Sequence, residues 1–349
     1  MKRKLQWECP MPKFDFDVIT LGHGSGGLLT NRLLDSGVFD VLKNELLDRR
    51  HDGAFLNFQG PVAFSTDSFV ISPIFFPGGD IGELAVNGTV NDVAMCGAYP
   101  EYISLSFILE EGLPIEDFWK ILVSIRNACE EAGVQVVTGD TKVVDKGKGD
   151  KVFINTTGLG RLHPEADIDV QRIQAGDKII VSNQIATHGI AILSVRQGLE
   201  FDTTIESDTT SLNGLVIDLL DRWGRDIHLF RDPTRGGLAS SLNELARDRG
   251  LGFVLEEAAL PIAAQVRAAC EILGLDPLYT ANEGVFLAVV AAEVAEEMVE
   301  FMRSREKSAH AAVIGTVTSD YAGRVLLSNA LGGKRPVSMQ VGEQLPRIC

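Results

Sequence analysis

The stretch ISLSFILEEGLPIEDFWKILVSIRNACEEAGVQVVTGDT, residues 103–141, decides the fold of this chain. Apolar residues alternate through its first seven positions, which is the period of a half-buried strand. An amphipathic pattern then predicts a helix over 114–132, and the apolar run 134–137 predicts a second strand that ends in Gly139-Asp140-Thr141. A strand, a helix and a strand in this order predict a sheet covered by helices.

The flanking sequence extends this pattern in both directions. Residues 18–21 predict a short strand, 61–71 predict a strand that carries Asp67, and 81–96 predict a helix with apolar residues at helical spacing. A polar, turn-rich segment over 163–176 separates this half from a second mixture of strands and helices.

The predicted fold class is therefore α+β, with two mixed α/β domains over residues 1–165 and 170–331. Residues 332–349 open with Gly-Gly-Lys-Arg-Pro and contain few large apolar residues, so we interpret them as a mobile tail. Fully extended, this tail would span about 55 Å.

Composition excludes several classes of protein. The chain has 349 residues, 45% of them hydrophobic, and 32 basic against 48 acidic residues give a net charge of −16. A nucleic-acid binder needs a basic surface, so no nucleic-acid partner is expected. No apolar run approaches the roughly 20 residues that span a bilayer, and no signal peptide follows the basic start. We expect a cytoplasmic protein with no membrane partner.

The cysteines argue against a disulfide scaffold or a structural zinc site, because there are five of them and none forms a CxxC pair. Cys96, Cys129 and Cys270 lie in apolar helical patterns and are interpreted as inert core residues. Cys349 is the last residue given, beyond the predicted tail opening.

The glycine-rich segment 22–27 contains Gly24, Gly26 and Gly27 between a predicted strand and a predicted helix. It satisfies the dinucleotide fingerprint, but the acidic residue expected about 20 residues later is missing from a second strand. The segment is either a flexible helix start or a loop whose backbone N–H groups approach phosphate. No P-loop motif is present.

Three aspartates lie in short polar islands at the ends of apolar elements: Asp67, Asp92 and Asp140. Carboxylate oxygens suit Mg²⁺, which uses few protein ligands together with substrate phosphates. Each aspartate is equally suited to capping a helix or turning a loop. Lys142 adds a charge for phosphate or a group for proton transfer.

Two further motifs lie in the second half. Residues 232–237 (DPTRGG) precede a predicted helix and are either a capped turn or an anion-contacting helix start with Arg235 in reach. Residues 282–284 (NEG) precede an apolar strand and are either an ordinary turn or a segment that presents Glu283 as a base.

Together these motifs resemble a superfamily that includes aminoimidazole ribonucleotide synthetase, selenophosphate synthetase, thiamine-phosphate kinase and HypE. The matching pieces are residues 65–67, 91–93, 139–141 and 232–237, which span nearly the whole chain. The resemblance implies ATP bound in a cleft and a homodimer that forms through the N-terminal sheets.

Residues 23–27, 75–80, 139–144 and the ending 346–349 resemble the HypE family of hydrogenase maturation factors in particular. This resemblance implies that a carbamoyltransferase, HypF, loads a carbamoyl group onto Cys349. The enzyme would then use Mg-ATP to dehydrate that group to a thiocyanate. The cyano group would pass to iron on a HypC–HypD complex, for the [NiFe] hydrogenase centre.

The resemblance also implies roles for individual residues. The expected catalytic groups are Cys349, Lys142 and Glu283, and the expected magnesium ligands are Asp67, Asp92 and Asp140. The expected ATP-binding residues are Gly24, Gly26, Gly27, Asp67, Asn91, Asp92, Gly139, Asp140, Thr141 and Arg235. The alternatives are a small-molecule kinase or synthetase of the same superfamily, similar to selenophosphate synthetase, and a non-catalytic carrier of Cys349.

Overall fold

A computed structural model describes residues 11, 16–50, 53–198 and 204–339, and it contains two mixed α/β domains. The N-terminal domain contains, in chain order, α1 Leu28–Leu33, β1 Val62–Phe69, β2 Phe75–Phe76, β3 Gly79–Asp80, α2 Ile81–Met95, β4 Ala98–Glu110, α3 Ile115–Ala132, β5 Gln135–Val144 and β6 Val152–Leu162.

The N-terminal sheet has the strand order β1-β6-β4-β5, so β1 and β5 form its two edges. Helices α2 and α3 cover one face, and α1 lies beside the β5 edge with a 3₁₀ turn at Leu21–Gly24. On the opposite face Phe64 is 65% exposed and Ile108 is 43% exposed. This outer face has no helix on it among the described residues.

Helix α2 is buried on almost every side because it lies between the two domains. The Asp80 side chain begins the helix by accepting hydrogen bonds from the Gly82 and Glu83 backbone N–H groups, at 2.7 and 3.1 Å. Leu84 packs in the N-terminal core, whereas Ala94 packs in a cluster of the C-terminal domain. The helix therefore carries its polar residues directly to the domain junction.

The predicted strand–helix–strand unit is present, with one difference that affects the site. Helix α3 ends at Gly133, which adopts a left-handed conformation with φ of 73°. Strand β5, however, continues to Val144, so Gly139-Asp140-Thr141 lies within the strand and not after it. The prediction that the strand ends at this motif was wrong, because the motif pairs with β4 along its whole length.

The C-terminal domain has a seven-stranded sheet in the order β13-β12-β9-β11-β7-β10-β8. The connection over 163–177 joins it to the N-terminal sheet. Its elements are β7 Lys178–Val181, α4 Thr187–Gln197, α5 Asn213–Trp223, β8 Ile227–Arg231, α6 Gly237–Arg249, β9 Gly252–Glu256, α7 Ala264–Leu273, β10 Leu287–Val290, α8 Ala295–Arg303, β11 Ala312–Thr318, β12 Val325–Ser328 and β13 Lys334–Val337.

Two boundaries differ from the sequence analysis. Residues 18–21 contain only an isolated bridge, from Val18 to Pro114, and not a strand. The segment from residue 332 does not leave the domain at once, because β13 pairs with β12 and buries Val337. The Asn329 side chain accepts hydrogen bonds from the Leu331 and Gly333 N–H groups and so closes the hairpin. Cys349 lies outside the described residues.

Within residues 11–339, apart from the gaps given above, no helix combines the length and apolar character that crossing a membrane requires.

The close pairing of β5 with β4 predicts that Gly139→Ala destabilises the protein. A Cβ atom at residue 139 would lie 2.0 Å from the Leu105 carbonyl oxygen, so the two strands would have to move apart. We expect a loss of about 2 kcal/mol in the free energy of unfolding, measured by urea denaturation. Gly214→Ala is the matched control, because nothing lies within 4 Å of its added Cβ. Equal stability of the two variants would contradict this account of β5.

Candidate active site

A cleft of about 700 Å³ lies where the two domains meet, and carboxyl groups of both domains line it. Strand β1 and helix α2 form one wall, and the end of β8 with the turn that follows forms the other. Its polar lining consists of Ser65, Thr66, Asp67, Asp92, Cys96, Arg231, Asp232, Thr234, Arg235 and Glu283.

Asp92 and Asp67 are brought together by strand alternation. Ser65 and Asp67 are two residues apart in β1, so their side chains point to the same face of the sheet. Ser65 Oγ donates to Asp92 Oδ2 at 2.8 Å, which fixes α2 against that face. Burial, followed by the nearby carboxylate of Asp232, raises the pKa of Asp92 to about 7. These residues therefore form an acidic wall in which Asp92 is partly protonated at neutral pH.

Asp232 completes this group from the second domain. Its carboxyl group lies near that of Asp92, and burial raises the pKa of Asp232. Two buried carboxylates this close repel each other when both are ionised, so a proton on one of them is favoured. The sequence predicted a role for Arg235 of the motif over 232–237, which lines the same cleft, but none for Asp232.

Glu283 lies at the base of the cleft with only 5% of its surface exposed. Its backbone N–H donates to Asp208 Oδ1 at 3.2 Å, and its carbonyl oxygen accepts from Asn91 Nδ2 at 3.3 Å. Side-chain atom Oε1 is buried and has no hydrogen-bond partner among the described residues. Burial, and next the charge of Asp208, raise the pKa of Glu283 well above its ordinary value. Such a carboxyl group holds its proton strongly.

Asn91, a predicted ATP-binding residue, is held by contacts within the protein. Its Nδ2 donates to the carbonyl oxygens of Thr210 and Glu283, at 3.0 and 3.3 Å, and its Oδ1 accepts from the Leu212 N–H at 2.8 Å. Both Nδ2 hydrogens and one acceptor position of Oδ1 in this buried amide are therefore used within the protein. Asn91 fixes Glu283 in place.

A second, smaller cavity of about 190 Å³ lies at the β5 edge of the N-terminal sheet. Asp140 and Lys142 form an ion pair at its rim, with Lys142 Nζ 2.7 Å from Asp140 Oδ2, and this hydrogen bond lowers the pKa of Asp140. Apolar side chains form the wall, among them Val38 and Phe39. The predicted ATP-binding residues that line this cavity are Gly24, Gly26, Gly139, Asp140 and Thr141.

Gly24 brings the glycine-rich segment against β5. A Cβ atom at residue 24 would lie 2.5 Å from the backbone nitrogen of Val143, so only glycine permits this approach. Gly27 precedes α1 at its N-cap position and does not line the cavity. The segment therefore forms one side of the small cavity.

Asp140 is separated from Asp67 and Asp92 within one chain, so the predicted group of three magnesium ligands does not form there. Asp140 pairs with Ser106 of β4, whereas Asp67 lies at the next register position across the sheet. Side chains at neighbouring register positions point to opposite faces, so Asp140 and Asp67 point away from each other. Three strand spacings also separate β1 from β5, which is about 14 Å. No group of three or more His, Cys, Asp or Glu residues in the described ranges is arranged to hold a metal.

Cys96 also differs from its interpretation as a core residue, because it is exposed in the cleft beside the carboxylates of Asp92 and Asp232. Cys129 and Cys270 are buried, as the apolar patterns indicated. Asp208 was missed altogether. It lies in a segment without secondary structure, and only the tertiary fold brings it to Glu283.

Comparison with known proteins supports this division into two domains. A family model described as AIR synthase related protein, N-terminal domain, matches residues 50–162, and one described as AIR synthase related protein, C-terminal domain, matches residues 174–328. The carbamoyl dehydratase HypE of Azotobacter vinelandii is 51% identical over 95% of this chain and 97% of its own length. The chain belongs to the HypE family. HypE of Escherichia coli strain K12 is 42% identical over 95% of this chain and 99% of its own length.

Solved HypE structures share the whole fold. The structure of HypE in complex with ATP has a TM-score of 0.91 and 47% identity, and covers 94% of this chain and 99% of that chain. HypE in a HypE–HypF complex has a TM-score of 0.78 and 42% identity, and covers 90% of this chain and 100% of that chain. A thiamine-monophosphate kinase from Stenotrophomonas maltophilia, at 17% identity and a TM-score of 0.63, shares the fold alone.

The carboxyl cluster predicts an unusual pH dependence of stability without ligand. The pKa of Asp92 is about 7 in the folded protein, above its unfolded value of 3.8, so folding retains a proton that the unfolded chain releases between these values. The contribution of Asp92 to stability therefore decreases as the pH rises from about 4 to about 7. We expect Asp92→Asn to raise the melting temperature at pH 7.5 and to flatten its pH dependence.

Differential scanning calorimetry from pH 5 to pH 8 checks this expectation. Asp320→Asn serves as a control, since it removes an exposed carboxylate from the β11–β12 turn. If Asp92→Asn and the control had the same pH dependence, burial of the Asp92 charge would be refuted.

Proposed function

We propose that this chain is an ATP-dependent carbamoyl dehydratase that converts an S-carbamoyl group on Cys349 into a thiocyanate. The product would supply the cyanide ligands of the [NiFe] hydrogenase iron centre. The observation that carries this proposal is the buried Glu283, with an unpartnered oxygen, in an acidic cleft of a HypE-family chain. Relatives that are 42–51% identical to this chain are named carbamoyl dehydratase.

The reaction sets clear demands on the site. A carboxamide must lose its oxygen and both hydrogens of its nitrogen. Oxygen is a poor leaving group until it is phosphorylated, and ATP is the phosphate donor. The balanced reaction converts the thiocarbamate and ATP into the thiocyanate, ADP, phosphate and one proton. The site must therefore bind the nucleotide phosphates, exclude water and accept protons from nitrogen.

Glu283 is suited to accept a proton from the carboxamide nitrogen. An amide N–H is a weak acid, so its base needs a high proton affinity in the surroundings of the reaction. Burial and the neighbouring carboxylates give Glu283 that property. Among the described residues no protein group donates to the buried Oε1, so this carboxyl group is not committed to a hydrogen bond within the protein at that atom.

The cleft carboxylates also fit Mg²⁺. Asp67 and Asp232 lie close enough to Asp92 to raise its pKa, and a divalent cation would relieve that repulsion. Mg²⁺ needs only one or two protein carboxylates when phosphate oxygens complete its shell, so a preformed group of three is not required. Bound there, Mg²⁺ would neutralise the charge of the ATP phosphates.

A homodimer would bring together the two cavities that are separate within one chain. The outer face of the N-terminal sheet exposes Val62, Phe64 and Ile108, which a second copy would cover. Pairing of these faces would bring the Asp140–Lys142 edge of one copy towards the cleft of the other. Lys142, together with Gly24 and Gly26, would then contribute to nucleotide binding across the interface.

The partners follow from the same reaction. A HypE relative is seen in complex with HypF, and we infer that HypF loads the carbamoyl group in this system also. The HypC–HypD complex would receive the cyano group. A small-molecule kinase is the weaker alternative, because the kinase structures share only 17–19% identity with this chain.

Cys349→Ala tests the substrate group directly. Without the thiol no carbamoyl group can be carried, so we expect thiocyanate formation to be lost while ATP binding is retained. The chain is loaded by HypF, incubated with Mg-ATP and analysed by mass spectrometry for loss of one water from the C-terminal peptide. Cys270→Ala is the control, because that cysteine is buried in the C-terminal domain. Undiminished thiocyanate in Cys349→Ala would end the proposal.

Mixed dimers test the shared site. Glu283→Gln and Lys142→Ala homodimers are each expected to be inactive. In a two-fold dimer, each site would take Lys142 from one copy and Glu283 from the other, so a mixed dimer of the two variants keeps one intact site of its two. Half of the dimers formed on co-expression are mixed, so about a quarter of wild-type activity should return. Single-turnover dehydration of carbamoylated chains measures this recovery. No recovery in verified mixed dimers would show that Lys142 and Glu283 serve the same chain.

A further inference from the structure

Glu283 is held in an unusual environment, because the segment beside it contributes another buried carboxyl group. Asp208 Oδ1 accepts the Glu283 N–H, and Asp208 Oδ2 is buried without a hydrogen-bond partner among the described residues. The Asp208 main chain also lies against Gly284, where a Cβ atom would be 1.7 Å from the Asp208 carbonyl oxygen. The two segments are therefore packed in direct contact.

The segment that carries Asp208 is fixed on both sides. The Ser207 N–H donates to the Pro77 carbonyl oxygen at 2.8 Å, before Asp208. After Asp208, the Thr210 carbonyl oxygen and the Leu212 N–H are both bonded to Asn91. Since Asn91 also binds the Glu283 carbonyl oxygen, the separation of Asp208 and Glu283 is set by one buried amide.

We propose that Asp208 is a positioning residue for Glu283. Its carboxylate accepts the Glu283 backbone N–H and faces Glu283 with a buried negative charge. This role extends the proposed function, and its effect on catalysis rests on that function. Asp208 does not line the cleft, so it acts on substrate only through Glu283.

The position of Asp208 behind the cleft gives its charge a distinct effect. The carboxylates that face Glu283 are Asp208, Asp232, Asp67 and Asp92, and Arg235 is a cation that lines the same cleft. A cation and the ATP phosphates would change the net charge beside Asp67, Asp92 and Asp232. Asp208 is not exposed to the cleft, so its charge would continue to strengthen Glu283 as a base when substrate is bound.

Such an arrangement lowers the stability of the protein. A buried carboxylate with an unpartnered oxygen, next to another carboxyl group, is unfavourable to folding. The side-chain amide that Asp208→Asn introduces would keep the acceptor for the Glu283 N–H and remove the charge. A structural role for Asp208 predicts that this variant loses stability. A role in strengthening Glu283 predicts that it gains stability and loses activity.

The test uses the full-length Asp208→Asn variant. We expect a higher melting temperature and an unchanged KM for ATP. On the alkaline plateau of the pH–rate profile, where Glu283 is ionised in both proteins, the turnover rate should be lower by about tenfold because Glu283 is a weaker base. The acid limb of the pH–rate profile should move to lower pH, because Glu283 must be deprotonated to act and its pKa falls without the neighbouring charge. Asp320→Asn, which removes an exposed carboxylate, should change none of these quantities.

Infrared spectroscopy of the protein without ATP or a carbamoyl group gives a readout that does not depend on dehydratase activity. The band of a protonated carboxyl group that Glu283→Gln removes belongs to Glu283. In Asp208→Asn that band should disappear at a lower pH than in the wild type. An unshifted band, or a variant less stable than the wild type, overturns the inference. A shifted band in a protein without dehydratase activity would refute the proposed function and leave the pairing of these carboxyl groups intact.

Discussion

The burial of like charges where the two domains meet is the constraint on which the site depends. Carboxyl groups lose hydration there, and the pKa of Asp92 and that of Glu283 rise as a result. The fold can hold this unfavourable group because α2 packs into the cores of both domains and cannot move away from either. The apolar residues around α2 thus keep the carboxylates together. Because binding of a cation or a proton relieves the repulsion between them, the site binds either one more strongly.

Sheet order imposes a second constraint. The order β1-β6-β4-β5 places Asp67 and Lys142 on strands at opposite edges, and no side-chain movement within a strand can close about 14 Å. The ion pair of Lys142 with Asp140 also occupies that lysine in the isolated chain. The chemistry therefore either uses Glu283 without Lys142 or uses the Lys142 of a second copy, and the exposed outer face around Phe64 favours the second arrangement.

The sequence predicted the helices and strands that follow from the spacing of apolar residues along the chain. Helices α2 and α3 have the expected positions, and Asp67 lies in a strand as expected. The structure shows that the alternation of this strand turns Asp67 to the face that meets Asp92. The sequence did not predict which strands are neighbours, so Asp140 was grouped with carboxylates on another edge. It also could not show that Asn91 hydrogen-bonds to Thr210 and Leu212, because both contacts join residues about 120 positions apart. Asp208 carries no local signal at all.

The reaction removes protons from nitrogen, and this explains why a cleft that lowers the stability of the protein would be retained. A kinase that transfers phosphate to a hydroxyl or phosphate oxygen removes at most one proton, and removes it from oxygen. A dehydratase must take both protons from a carboxamide nitrogen, which is a very weak acid until its oxygen is phosphorylated. A carboxyl group of high proton affinity answers that need, and desolvation beside other carboxylates is how a protein creates one. The unpaired oxygens of Glu283 and Asp208 therefore agree better with nitrogen deprotonation than with simple phosphate transfer.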